Sequence, residues 1–121
     1  MKKRILVVED QEDNRRIMRN LLTHAGYEVI EAVTGEDGVT MAAAERPDLI
    51  LMDLQLPGLD GYEATRRIKD QEALRAIPVI AVTSFAMSGD NARAMAAGCD
   101  AYIAKPVSTR NLLAKLDAFL S

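Results

Sequence analysis

The sequence predicts an α/β protein of the (βα)5 type, with five parallel strands in one doubly wound sheet and helices on both faces. Continuous apolar runs recur at Ile5–Val8, Leu49–Met52 and Val79–Val82, with shorter ones at Glu28–Glu31 and Ala101–Ala104. None alternates with period two, which is the pattern of strands buried on both sides in a parallel sheet. Longer amphipathic stretches separate the runs, and the prolines at 47, 57, 78 and 106 all fall at element boundaries, as residues lacking an N–H should.

The helices follow in order. After the first strand, Ile17, Leu21, Leu22 and Ala25 fall on one helical face, and Gly26 is placed to end that helix. Thr34 and Ser88 are candidate caps for two Ala-rich helices, one ending before Pro47 and the other near Gly98. Asp60, with Glu63 three residues later, forms a capping pair opening a helix through Arg67. Leu112, Leu113, Leu116, Phe119 and Leu120 define the last helix, with Ser108 at its start. Alternating strands and helices with short connections require right-handed crossovers. The expected strand order is 2-1-3-4-5, the flavodoxin-like arrangement.

A chain of 121 residues has room for one such domain, expected to span 1–121. Net charge is −3, from 15 basic and 18 acidic side chains, with no basic block to track a phosphate backbone, so direct nucleic-acid binding is not expected. Cys99 is the only cysteine, which excludes an internal disulfide and a multi-Cys zinc site and fits a reducing, cytoplasmic setting. The apolar stretch after Met1-Lys-Lys-Arg is too short for a signal sequence or membrane span. Met1 and the completed fifth helix favour a natural single domain over a piece of a longer chain.

In doubly wound sheets, ligands bind beyond the carboxyl ends of the strands, where the order reverses. Glu9 and Asp10 follow the first strand, Asp53 the third, Thr83 the fourth and Lys105 the fifth. Carboxylates crowded in this way repel unless a cation intervenes. Mg²⁺ suits them, because it takes carboxylate, carbonyl and water oxygens and commonly works with phosphate. Lys105 and Thr83 would offer a charge and a hydrogen-bond donor to phosphoryl oxygens.

Singly, each residue also has an ordinary reading: Asp10 a loop acid, Thr83 a helix-entry cap, Lys105 a solvated lysine. Asp53 is harder to explain away, since four apolar residues lead directly into it and a Pro57-Gly58 turn follows. A lysine at a strand end contributes little core, so loss of Lys105 is expected to disturb the function of this site more than folding.

Two other chemistries compete for this sheet. A phosphatase with an Asp nucleophile, of the haloacid-dehalogenase type, wants a second carboxylate two residues on, where this chain has Gln55. A flavodoxin-like FMN binder cradles phosphate on its first βα loop, where Asp10-Gln-Glu-Asp13 would repel it. A faint calcium-loop pattern from Asp10 to Asn14 fails because Arg15 stands where the turn needs glycine. His24 belongs to the last turn of the first helix, Met41, Met52 and Met95 read as core, and Cys99 as a small buried residue.

Together, Glu9-Asp10, Asp53-x-x-x-Pro57-x-x-Asp60-Gly61, Thr83-Ser84 and Lys105-Pro106 resemble the receiver domain of bacterial two-component response regulators over essentially the whole chain. The resemblance is nearest to single-domain regulators of cell division and to receivers of hybrid kinases. It implies Asp53 as phosphoacceptor, Asp10 and Asp53 as direct Mg²⁺ ligands with Glu9 acting through water, and the Gln55 carbonyl as a further ligand. It also implies that Thr83 and Lys105 bind the phosphoryl group, that Tyr102 is a rotating switch, and that the Lys105-Pro106 bond is cis. Glu9 in place of the more frequent Asp and Leu59 in place of Met are the departures. Phe85, two residues after Thr83, stands where water would approach the phosphoryl group, and an apolar ring there predicts a long-lived phosphoryl state. The implied partners are a histidine kinase or histidine phosphotransfer protein and a downstream protein target, bound by a monomer or weak dimer.

Overall fold

The computed structural model describes residues 2–84 and 88–120, the side chains of 88–91 excepted. Strands β1 (Arg4–Val8), β2 (Glu28–Ala32), β3 (Leu49–Asp53), β4 (Val79–Thr83) and β5 (Ala101–Ala104) alternate with helices α1 (Glu12–His24), α2 (Gly35–Glu45), α3 (Gly61–Asp70), α4 (Ser88–Ala97) and α5 (Thr109–Leu120). A short 3-10 turn, Glu72–Leu74, lies between α3 and β4. All neighbouring strands pair in parallel, in the order β2-β1-β3-β4-β5. This is the expected flavodoxin-like sheet.

Two apolar layers flank the sheet, and strand alternation decides which residue enters which. Leu6, Val8, Ile50, Met52, Val79 and Ala81 face one way, against Ala42 of α2, Ala64 and Ile68 of α3 and Ala94 and Ala97 of α4. Ile5, Val7, Leu49, Leu51, Ile80, Val82 and Ile103 face the other, against Met18 and Leu22 of α1 and Leu112 and Leu116 of α5.

The helix ends follow local chemistry. The Thr34 hydroxyl accepts from the Asp37 N–H (3.0 Å) and the Asp60 carboxylate from the Glu63 N–H (2.9 Å), each filling one orphan donor of a first turn. Ser108 does the same for Asn111 (3.3 Å). Helix α1 closes with paired bonds from Gly26 N–H to Thr23 O and from Tyr27 N–H to Leu22 O. Gly26 has φ +98°, the left-handed conformation this closure requires.

Two expectations about packing change. On α1 the buried residues are Met18 and Leu22, while Ile17 is 59% exposed. Residues 18 and 22 lie one turn apart on the sheet-facing side, so Ile17 is carried to its flank. Met95 is exposed rather than core, because Ala94 and Ala97 make the buried stripe of α4. Met52 is fully buried, Met41 packs on the core edge, and Cys99 is buried as expected.

Candidate functional site

The two-residue period of the strands also assembles the site. Glu9 continues the face of Val7, Asp53 that of Leu51 and Lys105 that of Ile103, all toward α1 and α5. Because β1 and β3 are neighbours, with Val8 opposite Met52, Glu9 and Asp53 emerge side by side. Thr83 follows Ala81 on the opposite face, the one shared by Tyr102. The charged cluster and the hydroxyl thus approach the Asp53 strand end from different sides of the sheet.

Glu9 and Asp53 are buried, at 4% and 3% exposure, and Asp10 is half-buried. The Lys105 ammonium bridges the first two, donating to Glu9 Oε1 at 2.9 Å and Asp53 Oδ2 at 3.1 Å. Burial pulls the Lys105 pKa down, but the hydrogen bond to Glu9 and the charge of Asp53 outweigh it, and the net direction is up. The remaining oxygens are held by main chain: Gln11 N–H donates to Glu9 Oε2 at 3.1 Å, and Gln55 N–H to Asp53 Oδ1 at 2.9 Å.

Glu9, Asp10 and Asp53 each offer a carboxylate oxygen, and these atoms lie within 4.8 Å of one another. Opposite ligands of an octahedral Mg²⁺ stand about 4.2 Å apart, so this hard-oxygen set lies near the spacing that ion needs and could close on it with a small side-chain adjustment. Asp10 leaves the open side, where water or phosphoryl oxygens would complete a shell.

Arg15 is a participant that sequence reasoning missed. Its guanidinium donates to the carbonyl oxygens of Glu9 (3.0 Å) and Asp10 (3.1 Å) and lies 3.4 Å from Glu31. It clasps the acidic turn from α1. In the sequence it registers only as the residue that spoils a calcium loop. The Gln55 side chain was missed as well: Nε2 donates to Thr83 Oγ1 at 2.9 Å, and Oε1 accepts from the Ser84 N–H at 3.0 Å. A loop glutamine and a strand-end threonine carry no periodic signal of such a contact.

Thr83 is fully buried at the end of β4, and the N-cap of α1 is Gln11. Gly61 opens α3 directly against the Asp53 main chain, where a Cβ would overlap the Asp53 carbonyl oxygen. The Lys105-Pro106 peptide is cis. Tyr102 is half-buried on β5 beside the core. Phe85 and the Ser88 side chain lie outside the described residues. A cavity of about 200 Å³ adjoins the cluster, walled by Ile17, Met18, Leu21 and Val107 and reaching Asp53 and Lys105.

A doubly wound five-stranded sheet with buried acids, a lysine and a threonine at its carboxyl edge defines a receiver-type signalling domain. The response regulator receiver domain family model matches residues 5–117, and the chain belongs to that family. Over 120 residues it is 46% identical to the polar-differentiation response regulators DivK of Brucella anthropi and Brucella ovis, covering 99% of this chain and 98% of each relative. Among solved structures, it resembles the receiver domain of a Pseudomonas aeruginosa sensor histidine kinase with magnesium coordinated in the active-site cleft. That match has a TM-score of 0.92 and 39% identity, over 98% of both chains. Chemotaxis protein CheY4 of Vibrio cholerae superimposes with TM-score 0.93 at 26% identity, over 99% of this chain and 100% of that one. Among the described residues, no helix is long and apolar enough to cross a membrane.

Proposed function

We propose that the chain is a cytoplasmic phosphorylation switch that takes a phosphoryl group from a histidine kinase or phosphotransfer protein onto Asp53. The observation carrying this reading is a buried carboxylate whose two oxygens are held by Lys105 Nζ and the Gln55 N–H, inside a carboxylate group near the spacing Mg²⁺ needs. Asp10 and Asp53 would hold the ion directly, Glu9 through water and Gln55 through its carbonyl. When bound, Mg²⁺ would offset the charge on the transferred oxygens.

An Asp53 oxygen attacks phosphorus in line, the P–N bond to the partner's imidazole breaks, and the leaving nitrogen keeps the bonding pair and takes up a proton. Lys105 neutralises charge on the acyl phosphate, and the Thr83 hydroxyl donates to a phosphoryl oxygen. The cavity beside Ile17 and Val107 gives the incoming histidine an apolar approach to Asp53. The chain catalyses its own phosphorylation and dephosphorylation, without turnover on other substrates. Output runs through α4, β5 and α5: Thr83 moves toward the phosphoryl group, Tyr102 turns into the space it leaves, and a downstream protein reads the altered face.

The test is labelling with a small acyl phosphate in Mg²⁺. Wild type should be modified at Asp53, and Asp53→Asn should not. Labelling retained in the Asn variant refutes the assignment.

A further inference from the structure

We propose that the Gln55 side chain is a latch that sets the resting position of Thr83 and so tunes how readily the phosphorylated state forms. The inference rests on the reading of Asp53 as phosphoacceptor. Gln55 touches both ends of the switch, because its N–H donates to Asp53 Oδ1 while its side chain reaches Thr83 and Ser84.

Hydrogen-bond chemistry fixes the orientation of the amide. The Ser84 N–H can only donate, so it requires the carbonyl end, Oε1, at 3.0 Å. That leaves Nε2 toward Thr83 Oγ1, at 2.9 Å. The amide is held at two points and cannot flip without placing its NH₂ against an N–H donor.

Thr83 lies on the sheet face opposite that of Glu9, Asp53 and Lys105, so meeting a phosphoryl group requires movement toward the cluster. The Ser84 bond anchors the amide, so a Thr83 hydroxyl that turns to the phosphoryl group would have to stretch or give up the Nε2 contact. The resting state is therefore favoured by the net worth of that hydrogen bond. A typical net value corresponds to about a two- to tenfold change in an equilibrium constant. Gln55 is thus a positioning residue, acting through Thr83.

The experiment uses Gln55→Met, which keeps the length and apolar stem and removes both polar contacts, with Gln55→Ala as a second variant. The first readout needs neither metal nor phosphoryl group: hydrogen exchange at the Ser84 amide should accelerate about tenfold or more in both variants. The second is equilibrium affinity for beryllium trifluoride with Mg²⁺, a phosphoryl mimic, which should tighten about two- to tenfold. In a Thr83→Ala background the same Gln55 substitution should change that affinity by less than a factor of about 1.5, because there is no hydroxyl left to latch. Unchanged or weaker affinity in Gln55→Met overturns the latch, as does an equal gain in the Thr83→Ala background or unaltered Ser84 exchange. If wild type forms no adduct at Asp53, the phosphoacceptor reading fails and the latch with it. Normal wild-type binding with no effect of Gln55 removes the latch alone.

Discussion

Replacing Lys105 with Met should destabilise the metal-free protein, contrary to the expectation that a strand-end lysine matters little to folding. Lys105 Nζ sits 2.9 Å from Glu9 Oε1 and 3.1 Å from Asp53 Oδ2, and those side chains are only 6% and 4% exposed. Its removal leaves two buried carboxylates without their shared cation. Breaking a buried pair costs about 3–5 kcal/mol, but the lysine is itself 19% exposed and water can reach it, so the cost should fall at or below the bottom of that range. We expect about 2–3 kcal/mol, or roughly 6–12 °C in Tm at this chain length. In an Asp53→Asn background the cost should fall by about half, since only Glu9 remains to be neutralised.

The pH dependence has a defined sign. The folded pKa of Lys105 is raised above its ordinary 10.5, so its stabilisation is complete below 10.5 and lost as pH rises through the folded value. The deficit of Lys105→Met should therefore be constant from about pH 7 to 10 and shrink above that. Mg²⁺ should recover part of it, because a second cation enters the same carboxylate group. The assay is thermal unfolding by circular dichroism, with chelator and with millimolar Mg²⁺. A metal-free deficit below about 0.5 kcal/mol, within the range of ordinary surface substitutions, would show that Lys105 is a solvated lysine and refute the argument.

Gly61→Ala should lower stability by about 2 kcal/mol: an added Cβ falls 2.7 Å from Leu54 Cα and overlaps the Asp53 carbonyl, and better helix propensity offsets only part of that crowding. A melt at or above the wild-type temperature would contradict this. Tyr102→Ala should remove most of the gain in partner affinity that a phosphoryl mimic produces, and an undiminished gain would show that the ring is not the coupling element. Phe85→Glu should shorten the phosphoryl lifetime by supplying a group that can orient water, and a lifetime equal to wild type would sink that idea.

The sheet was legible because burial on both faces leaves a direct mark. Leu49-Ile-Leu-Met52 can lie only between two layers of helices, and the acids following such runs must gather at one edge. Capping was legible at Thr34, Asp60 and Ser108 for an equally local reason. What escaped were side-chain contacts between separate segments. Arg15 reaches back across the acidic turn, and Gln55 crosses to β4, through long side chains whose targets are set by tertiary placement. Ile17 and Met95 were misplaced because helical spacing groups apolar residues without saying which edge of the group meets the sheet. Lys105 was expected at this strand edge, but its place as a counter-ion depended on Glu9 and Asp53 sharing one face, a fact of register rather than composition.

The direction in which the helices run has an electrostatic consequence. Every strand in this sheet is parallel, so each helix starts at the edge where the carboxylates gather and ends at the far edge. Aligned peptide dipoles give each helix start roughly half a positive charge, felt within about one turn. The acidic edge therefore lies among the positive poles of the helices, and their exposed carbonyl ends collect at the other. A phosphoryl group added at Asp53, as proposed, would enter the edge whose positive helix starts favour an anion, whereas an aspartate at the start of β3 would face helix carbonyls. Connectivity alone makes the two edges of the sheet unequal hosts for an anion.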